Sequence, residues 1–209
     1  MKYIIASDLH GSAEHIEKLL EAFRQEKGDF LILLGDILYH GPRNHLPEEY
    51  DTKKAAALLN ELAEYIVCVQ GNCDAEVDQA MLEFPVLSDS GFVVTETGLR
   101  LFITHGHRYN PIEPPKLPAG AVMLSGHTHV PASFASEEGV WFLNPGSVSI
   151  PKNGSPHSYM TLEQNTFLWK TLEGEVYREL TVESCRKRKE LRRWPKLFFG
   201  VIRFLRRCG

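Results

Sequence analysis

The sequence predicts an α/β fold that opens with a parallel βαβ arrangement, and three observations carry that expectation. Short apolar runs, Tyr3–Ala6, Phe30–Leu34 and Tyr65–Val69, alternate with stretches whose apolar residues recur at helical spacing. The runs show no polar alternation, as expected of strands covered on both faces in a parallel sheet. Each run then gives way to a polar cluster, at the carboxyl edge where open α/β sheets bind ligands.

The first run leads into Ser7-Asp8-Leu9-His10-Gly11, where a carboxylate and an imidazole two residues apart share one face and can point into one crevice. Ser12 is an expected N-cap, and Ile16, Leu19, Leu20 and Phe23 form the stripe of an amphipathic helix that Gly28-Asp29 ends. Phe30–Leu34 runs straight into Gly35-Asp36. Residues 37–50, rich in His, Pro, Gly and Asn, are long enough to be a binding loop. A second helix is expected from Thr52, with Ala55, Leu58, Leu59 and Leu62 facing the core, before a third strand ends at Gly71-Asn72-Cys73-Asp74.

From Phe92 the pattern changes to shorter strands without helices between them. They are Phe92–Thr95, Arg100–Ile103, Val122–Leu124, Val140–Leu143, Ser158–Leu162 and a last hairpin near Thr166–Thr181, with turn signals such as Thr97-Gly98 and Glu173-Gly174. Two further polar clusters follow apolar runs here, Thr104-His105-Gly106-His107 and Ser125-Gly126-His127-Thr128-His129. The Pro-rich piece Pro111–Pro118 between them reads either as a rigid loop near the site or as a plain connection.

With 209 residues, 43% hydrophobic and 24% charged, the chain can bury a substantial core and reads as a globular protein. Lys2 is followed by only a few apolar residues before Asp8, so no signal peptide is expected. Cys68, Cys73, Cys185 and Cys208 show no CxxC pairing, which argues against a disulfide scaffold or a thiolate zinc site and makes a reducing cytoplasm the expected setting. Residues 186–209 carry ten basic groups and one acid, a charge of +9, which leaves −13 on residues 1–185 of the overall −4. An acidic body argues against an extended nucleic-acid footprint on the main domain and suits a site that collects divalent cations.

The strand-end groups are Asp8, His10, Asp36, Asn72, His105, His127 and His129. Singly, each has an ordinary reading: Gly-Asp and Gly-Asn are common turns, and two histidines can share an exposed strand face. Together they form a mixed N/O donor set that suits Mn²⁺, Fe²⁺, Zn²⁺ or Ni²⁺. Seven ligands exceed the needs of one tetrahedral ion, whereas two ions sharing a bridging carboxylate would use them all.

The ordered motifs Asp8-Leu9-His10, Gly35-Asp36, Gly71-Asn72-Cys73-Asp74, His105 within Thr-His-Gly-His, and Gly126-His127-Thr128-His129 resemble those of the calcineurin-like metallophosphoesterases. Gly35–Asn44 and Asn144–Lys152 narrow the likeness to bacterial phosphodiesterases of that family, over Met1 to about Val182. The resemblance implies a four-layer αββα sandwich, two mixed sheets face to face and flanked by helices, on residues 1–182, with residues 183–209 as an appended tail. It implies one metal on Asp8, His10, Asp36 and His129 and a second on Asp36, Asn72, His105 and His127, Asp36 bridging. Two divalent ions roughly 3.5–4 Å apart, Mn²⁺ foremost, would hold a bridging hydroxide that attacks the phosphorus of a small phosphoester. Asn72, Cys73 and His105 then form the catalytic set.

At Cys73 the chain departs from the family pattern, because most relatives carry a His there that helps protonate the leaving oxygen. Cys73 reads equally as a weak proton donor or as a space-filling residue. The expected preference is for phosphodiesters with good leaving groups, such as aryl esters, over alkyl phosphomonoesters. Arg43, His40 and His107 are candidates for gripping the substrate phosphate, Arg43 foremost because a guanidinium holds two oxygens at once. In the tail, Leu197, Phe198, Val201, Ile202 and Leu205 would share one face of a basic amphipathic helix, suited to an anionic membrane surface, a subunit contact in a homo-oligomer or the acidic body. The alternatives to an esterase are a non-catalytic scaffold on the same fold, and a nuclease anchored by the tail.

Overall fold

The computed structural model describes residues 1–183, so the amphipathic tail, the basic run from Arg186, Cys185 and Cys208 lie outside the described residues. The elements β1 (Lys2–Ala6), α1 (Ala13–Glu26), β2 (Phe30–Leu33), α2 (Thr52–Asn60) and β3 (Ile66–Cys68) follow in the expected order. Strand β2 pairs in parallel with both β1 and β3, which is the anticipated βαβ arrangement. A short helix, α3 (Glu76–Gln79), precedes β4 (Ser90–Val94), β5 (Arg100–Thr104), β6 (Val122–Leu124), β7 (Ala132–Ala135) and β8 (Trp141–Asn144). The chain then returns to the first sheet through β9 (Ser158–Glu163), β10 (Thr166–Thr171) and β11 (Val176–Thr181).

Two mixed sheets result, one in the order β11-β10-β9-β1-β2-β3 and the other in the order β4-β5-β6-β8-β7. Strand periodicity divides the core between them. Ile4 and Ala6 of β1 and Leu31 and Leu33 of β2 pack with Ile16, Leu19, Leu20 and Phe23 of α1 and Leu59 of α2. Their neighbours Tyr3, Ile5 and Ile32 turn to the other side, where they meet Leu101, Ile103, Val122, Leu124 and Leu143 of the second sheet together with Phe167 and Trp169. Each fully buried Leu or Ile contributes about 1.5–3 kcal/mol by leaving water, so the layers close on these residues. On the far face of the second sheet Phe102, Met123, Val140 and Phe142 pack with Leu117 from the loop before β6, and no residue of α1–α3 joins that cluster.

Local differences from the sequence reading have physical reasons. Ser12 does precede α1, but its hydroxyl donates to the Glu48 carbonyl (2.6 Å) and pairs with His15 Nδ1 (2.7 Å), so it makes no side-chain cap. Helix α2 stops at Asn60 and continues as a 3-10 turn, Ala63–Tyr65, with Leu58 and Leu62 packed against the core. Strand β7 and helix α3 were not anticipated. Among the described residues no helix is long and apolar enough to cross a membrane.

Candidate metal centre

The loops after β1 and β2 are laced together by their backbones. Asp8 N–H donates to Gly35 O, Leu9 and His10 N–H both donate to Asp36 O, and Gly11 N–H donates to Ile37 O, at 2.9–3.1 Å. Five of the seven predicted ligands, Asp8, His10, Asp36, His127 and His129, hold φ between 47° and 65°. For residues with a Cβ this left-handed conformation costs on the order of 1–2 kcal/mol each, and such strain concentrates at functional sites.

Two glycines let these loops approach. A Cβ at Gly71 would collide with the backbone and carboxylate of Asp36, and one at Gly126 would collide with Ser7 Oγ and Asp8 Oδ2. The stretch Asn144–Lys152 braces the site from behind. The hydroxyls of Ser147 and Ser149 donate to Asp8 O at 2.9 and 3.0 Å, and the Ile150 carbonyl accepts from His129 Nδ1 at 2.6 Å.

All seven predicted ligands meet at the sheet rim. His129 Nε2 lies 3.3 Å from Asp8 Oδ1 and 3.4 Å from His10 Nε2, and Asp8, His10 and His129 are all buried. His105 Nε2 lies 3.1 Å from Asn72 Oδ1 and 3.2 Å from His127 Nδ1. Asp36 stands between the two groups, its Oδ2 3.7 Å from His10 Nε2 and 3.4 Å from His105 Nε2.

The donor count shows what these groups lack. A carbonyl oxygen only accepts, so the Nδ1 protons of His10, His105 and His129 are committed to Tyr39 O, Leu34 O and Ile150 O. Their Nε2 lone pairs then face one another and the carboxylates. Asp8 Oδ1 is buried without any hydrogen-bond donor. Lone pairs and carboxylate oxygens crowded this closely require positive charge among them, which a divalent cation supplies and for which N/O donors of this kind fit. A proton is the alternative: His105 is raised to about 9, because Asp36 and Asp8 outweigh the burial that opposes its charge. Burial also works against the Asp36 carboxylate, yet His105 and the Cys73 N–H hold it well below the usual range. Burial pulls His127 and His129 down, towards the neutral ligand form.

A cleft of about 360 Å³ opens over the centre, with Asp36, Asn72, Cys73, His127 and His129 in its wall. Arg43, Asn44 and Lys152 line it too, so the cleft holds two cationic side chains. His40 and His107 do not line it. His40 is packed edge-on against Tyr39 and Tyr50, and the His107 ring sits 5.4 Å from that of His105. No residue of Pro111–Pro118 lines the cleft either.

Cys73 faces the centre. Its Sγ, a ring nitrogen of His10 and a carboxylate oxygen of Asp36 lie mutually within 4.8 Å, and the Asn72 amide donates to the thiol at 3.2 Å. That bond points Asn72 Oδ1 toward His105. Burial, and after it the Asp36 charge, push the Cys73 thiol up to about 12.

Sequence reasoning passed over two contributors. Asp74 accepts from the N–H groups of Asp36, Ile37 and Gly71 at 2.7–2.8 Å and so ties the second cluster to the third. Burial pushes its carboxyl up to about 6 against those donors, which favour the charged form. Lys152 was read only as part of a motif, although a lysine at the end of a strand-end loop is a signal for an anion.

Comparison with known proteins is consistent across sequence and structure. The calcineurin-like phosphoesterase superfamily domain matches residues 1–166. Phosphodiesterase YfcE of Escherichia coli K12 is 47% identical over 165 residues, 79% of this chain and 89% of that protein. The solved structure of Yfce, described as a phosphoesterase from E. coli, superposes with a TM-score of 0.84 at 42% identity, covering 88% of this chain and all of that one. A solved archaeal phosphodiesterase shares the fold, with a TM-score of 0.55 at 23% identity over 87% of this chain and 100% of its own.

Proposed function

This chain belongs to the calcineurin-like phosphoesterase superfamily and is a metallophosphoesterase, and we propose that it hydrolyses the phosphodiester bonds of small substrates with two divalent cations. Asp8, His10, Asp36 and His129 would hold one cation and Asp36, Asn72, His105 and His127 the other, Mn²⁺ being the expected ion. The observation that carries this reading is the position of the Asp36 carboxylate between the two groups of donors. When bound, the cations supply an activated water and neutralise the phosphoryl oxygens during in-line attack.

The chain's own residues do the rest. Arg43 and Lys152 line the cleft where the phosphate would sit and offer it charge-assisted hydrogen bonds. His105 anchors its Nδ1–H on Leu34 O and so presents its Nε2 lone pair to the centre, beside Asp36. Cys73 lines the same cleft and is assigned to the side of the leaving oxygen, where a thiol that burial pushes up is a poor acid at neutral pH. The expected order is therefore aryl phosphodiesters over alkyl phosphomonoesters. A cytoplasmic setting and a separate basic appendage at residues 183–209 belong to the same proposal.

Metal-stripped protein re-supplied with Mn²⁺, Zn²⁺, Ni²⁺ or Mg²⁺, and assayed on mono- and diesters including cyclic nucleotides, tests it. The stripped protein should be inactive, Mn²⁺ should restore the most turnover, and diesters should exceed monoesters. Undiminished hydrolysis under exhaustive chelation would overturn the reading.

A further inference from the structure

Beside the metal cleft lies a second cavity, of about 460 Å³ and mainly apolar, lined by Leu38, Tyr39, Tyr50, Ala75, Val77 and Met81 among others. Cys73 lines both spaces and so forms a shared wall. Lys53 lines the second cavity and is its one cationic residue; neither Arg43 nor Lys152 reaches it. Its one carboxylate, Asp78, is already engaged by the Ala75 N–H at 2.7 Å.

The cavity is braced as well as apolar. The His40 ring packs edge-on against Tyr39 (4.7 Å) and Tyr50 (5.2 Å), and Tyr39 O accepts from His10 Nδ1. The two tyrosines are thereby tied to the ligand loop. Yet Tyr39, Val77 and Met81 are 41%, 69% and 40% exposed. An apolar surface left open against a charged cleft is a place for the organic part of a ligand whose anionic part occupies the cleft.

We propose that this cavity receives the leaving group of the phosphodiester, a planar aromatic alcohol, with the scissile bond lying over Cys73. The inference rests on the phosphodiesterase reading above and adds to it the subsite that selects the leaving group. Two tyrosine rings and a methionine thioether suit an aromatic ring better than a flexible chain. The chemistry agrees with the shape. Water adds to phosphorus, its proton passes to solvent, and the P–O bond to the ring breaks with its electron pair on the aryloxide. An aryloxide departs without taking up a proton from the protein.

Methyl phosphodiesters with phenol or naphthol as the leaving group, whose acidities are similar, distinguish the cavity's effect from leaving-group chemistry. For the Mn²⁺-loaded wild type, kcat/KM should favour the naphthyl ester about tenfold, chiefly through KM, as expected for burying one further fused ring. Val77→Trp, which fills the cavity from an exposed position, and Met81→Gln, which makes its wall polar at nearly constant volume, should each bring the ratio close to one. Calorimetric Mn²⁺ titration of both variants verifies that the centre is intact. Equal kcat/KM for the two esters in the wild type, or a preference undiminished in both variants, would overturn the assignment while leaving the phosphodiesterase reading in place. Failure of the wild type to hydrolyse either ester would overturn both.

Discussion

The carboxylate of Asp74, under three converging backbone N–H groups, is the most consequential side chain that touches no predicted ligand atom. It fixes the peptide of Asp36, and the Asp36 side chain then reaches both groups of donors. Asp74→Asn should weaken Mn²⁺ binding by about 10- to 100-fold, the usual effect of removing an outer partner of a metal site. Calorimetry reads it, and unchanged affinity would show that the Asp36 loop holds itself. In the sequence Asp74 is legible only as the last residue of the motif Gly71-Asn72-Cys73-Asp74, because a turn aspartate and a buried three-way acceptor look alike there. The seven ligands were legible because each ends an apolar run. At Cys73 the prediction concerns chemistry. Cys73→His supplies an acid with a pKa near neutrality, and should raise phosphomonoester turnover relative to diester turnover by on the order of 100-fold. An unchanged ratio would remove this position from the proton-transfer pathway.

Among the elements, the strand-end loops bear the strain and their neighbours bear the load. Gly126 has Ser7 and Asp8 against its Cα, with no room for a methyl group. Gly126→Ala should cost about 1–3 kcal/mol in denaturant unfolding, as overpacking does, and should weaken metal binding, since the displaced groups carry Asp8. Loss of neither would mean that the loops can part freely. Strands with an apolar run, Tyr3–Ala6 within β1 and all of β2, were legible because positions buried on both faces of a sheet favour apolar residues. Strand β7, Ala132–Ala135, was not, because it is an edge strand whose residues are half-buried or exposed and whose pattern carries no such constraint. Helix α3, at four residues, is too short to show a helical period. The role of Asn144–Lys152 also escaped the sequence. Its serines act on the backbone of Asp8, more than 130 positions away in the chain.

For the molecule as a whole, cations held as proposed would couple their binding to folding. A ligand that binds only the folded state adds about 2.7 kcal/mol at 100 times its Kd, so Tm should climb with Mn²⁺ concentration, and a flat Tm would deny the coupling. Away from the centre, His15 is 4% exposed and stacks on His157 at 4.2 Å. Burial, then the neighbouring His157, pull its pKa below the ordinary 6.5. The folded state therefore binds fewer protons than the unfolded one below that value. Stability is full above pH 6.5 and falls as the pH drops through it, and His15→Gln should flatten that slope in acid titrations of Tm. The central claim is that seven side chains from five distant segments hold two cations on either side of one carboxylate. Anomalous diffraction from Mn²⁺-soaked crystals tests it most directly. Two peaks are expected, one against Asp8, His10 and His129 and one against Asn72, His105 and His127, with Asp36 touching both. A single peak, or peaks remote from Asp36, would contradict the account.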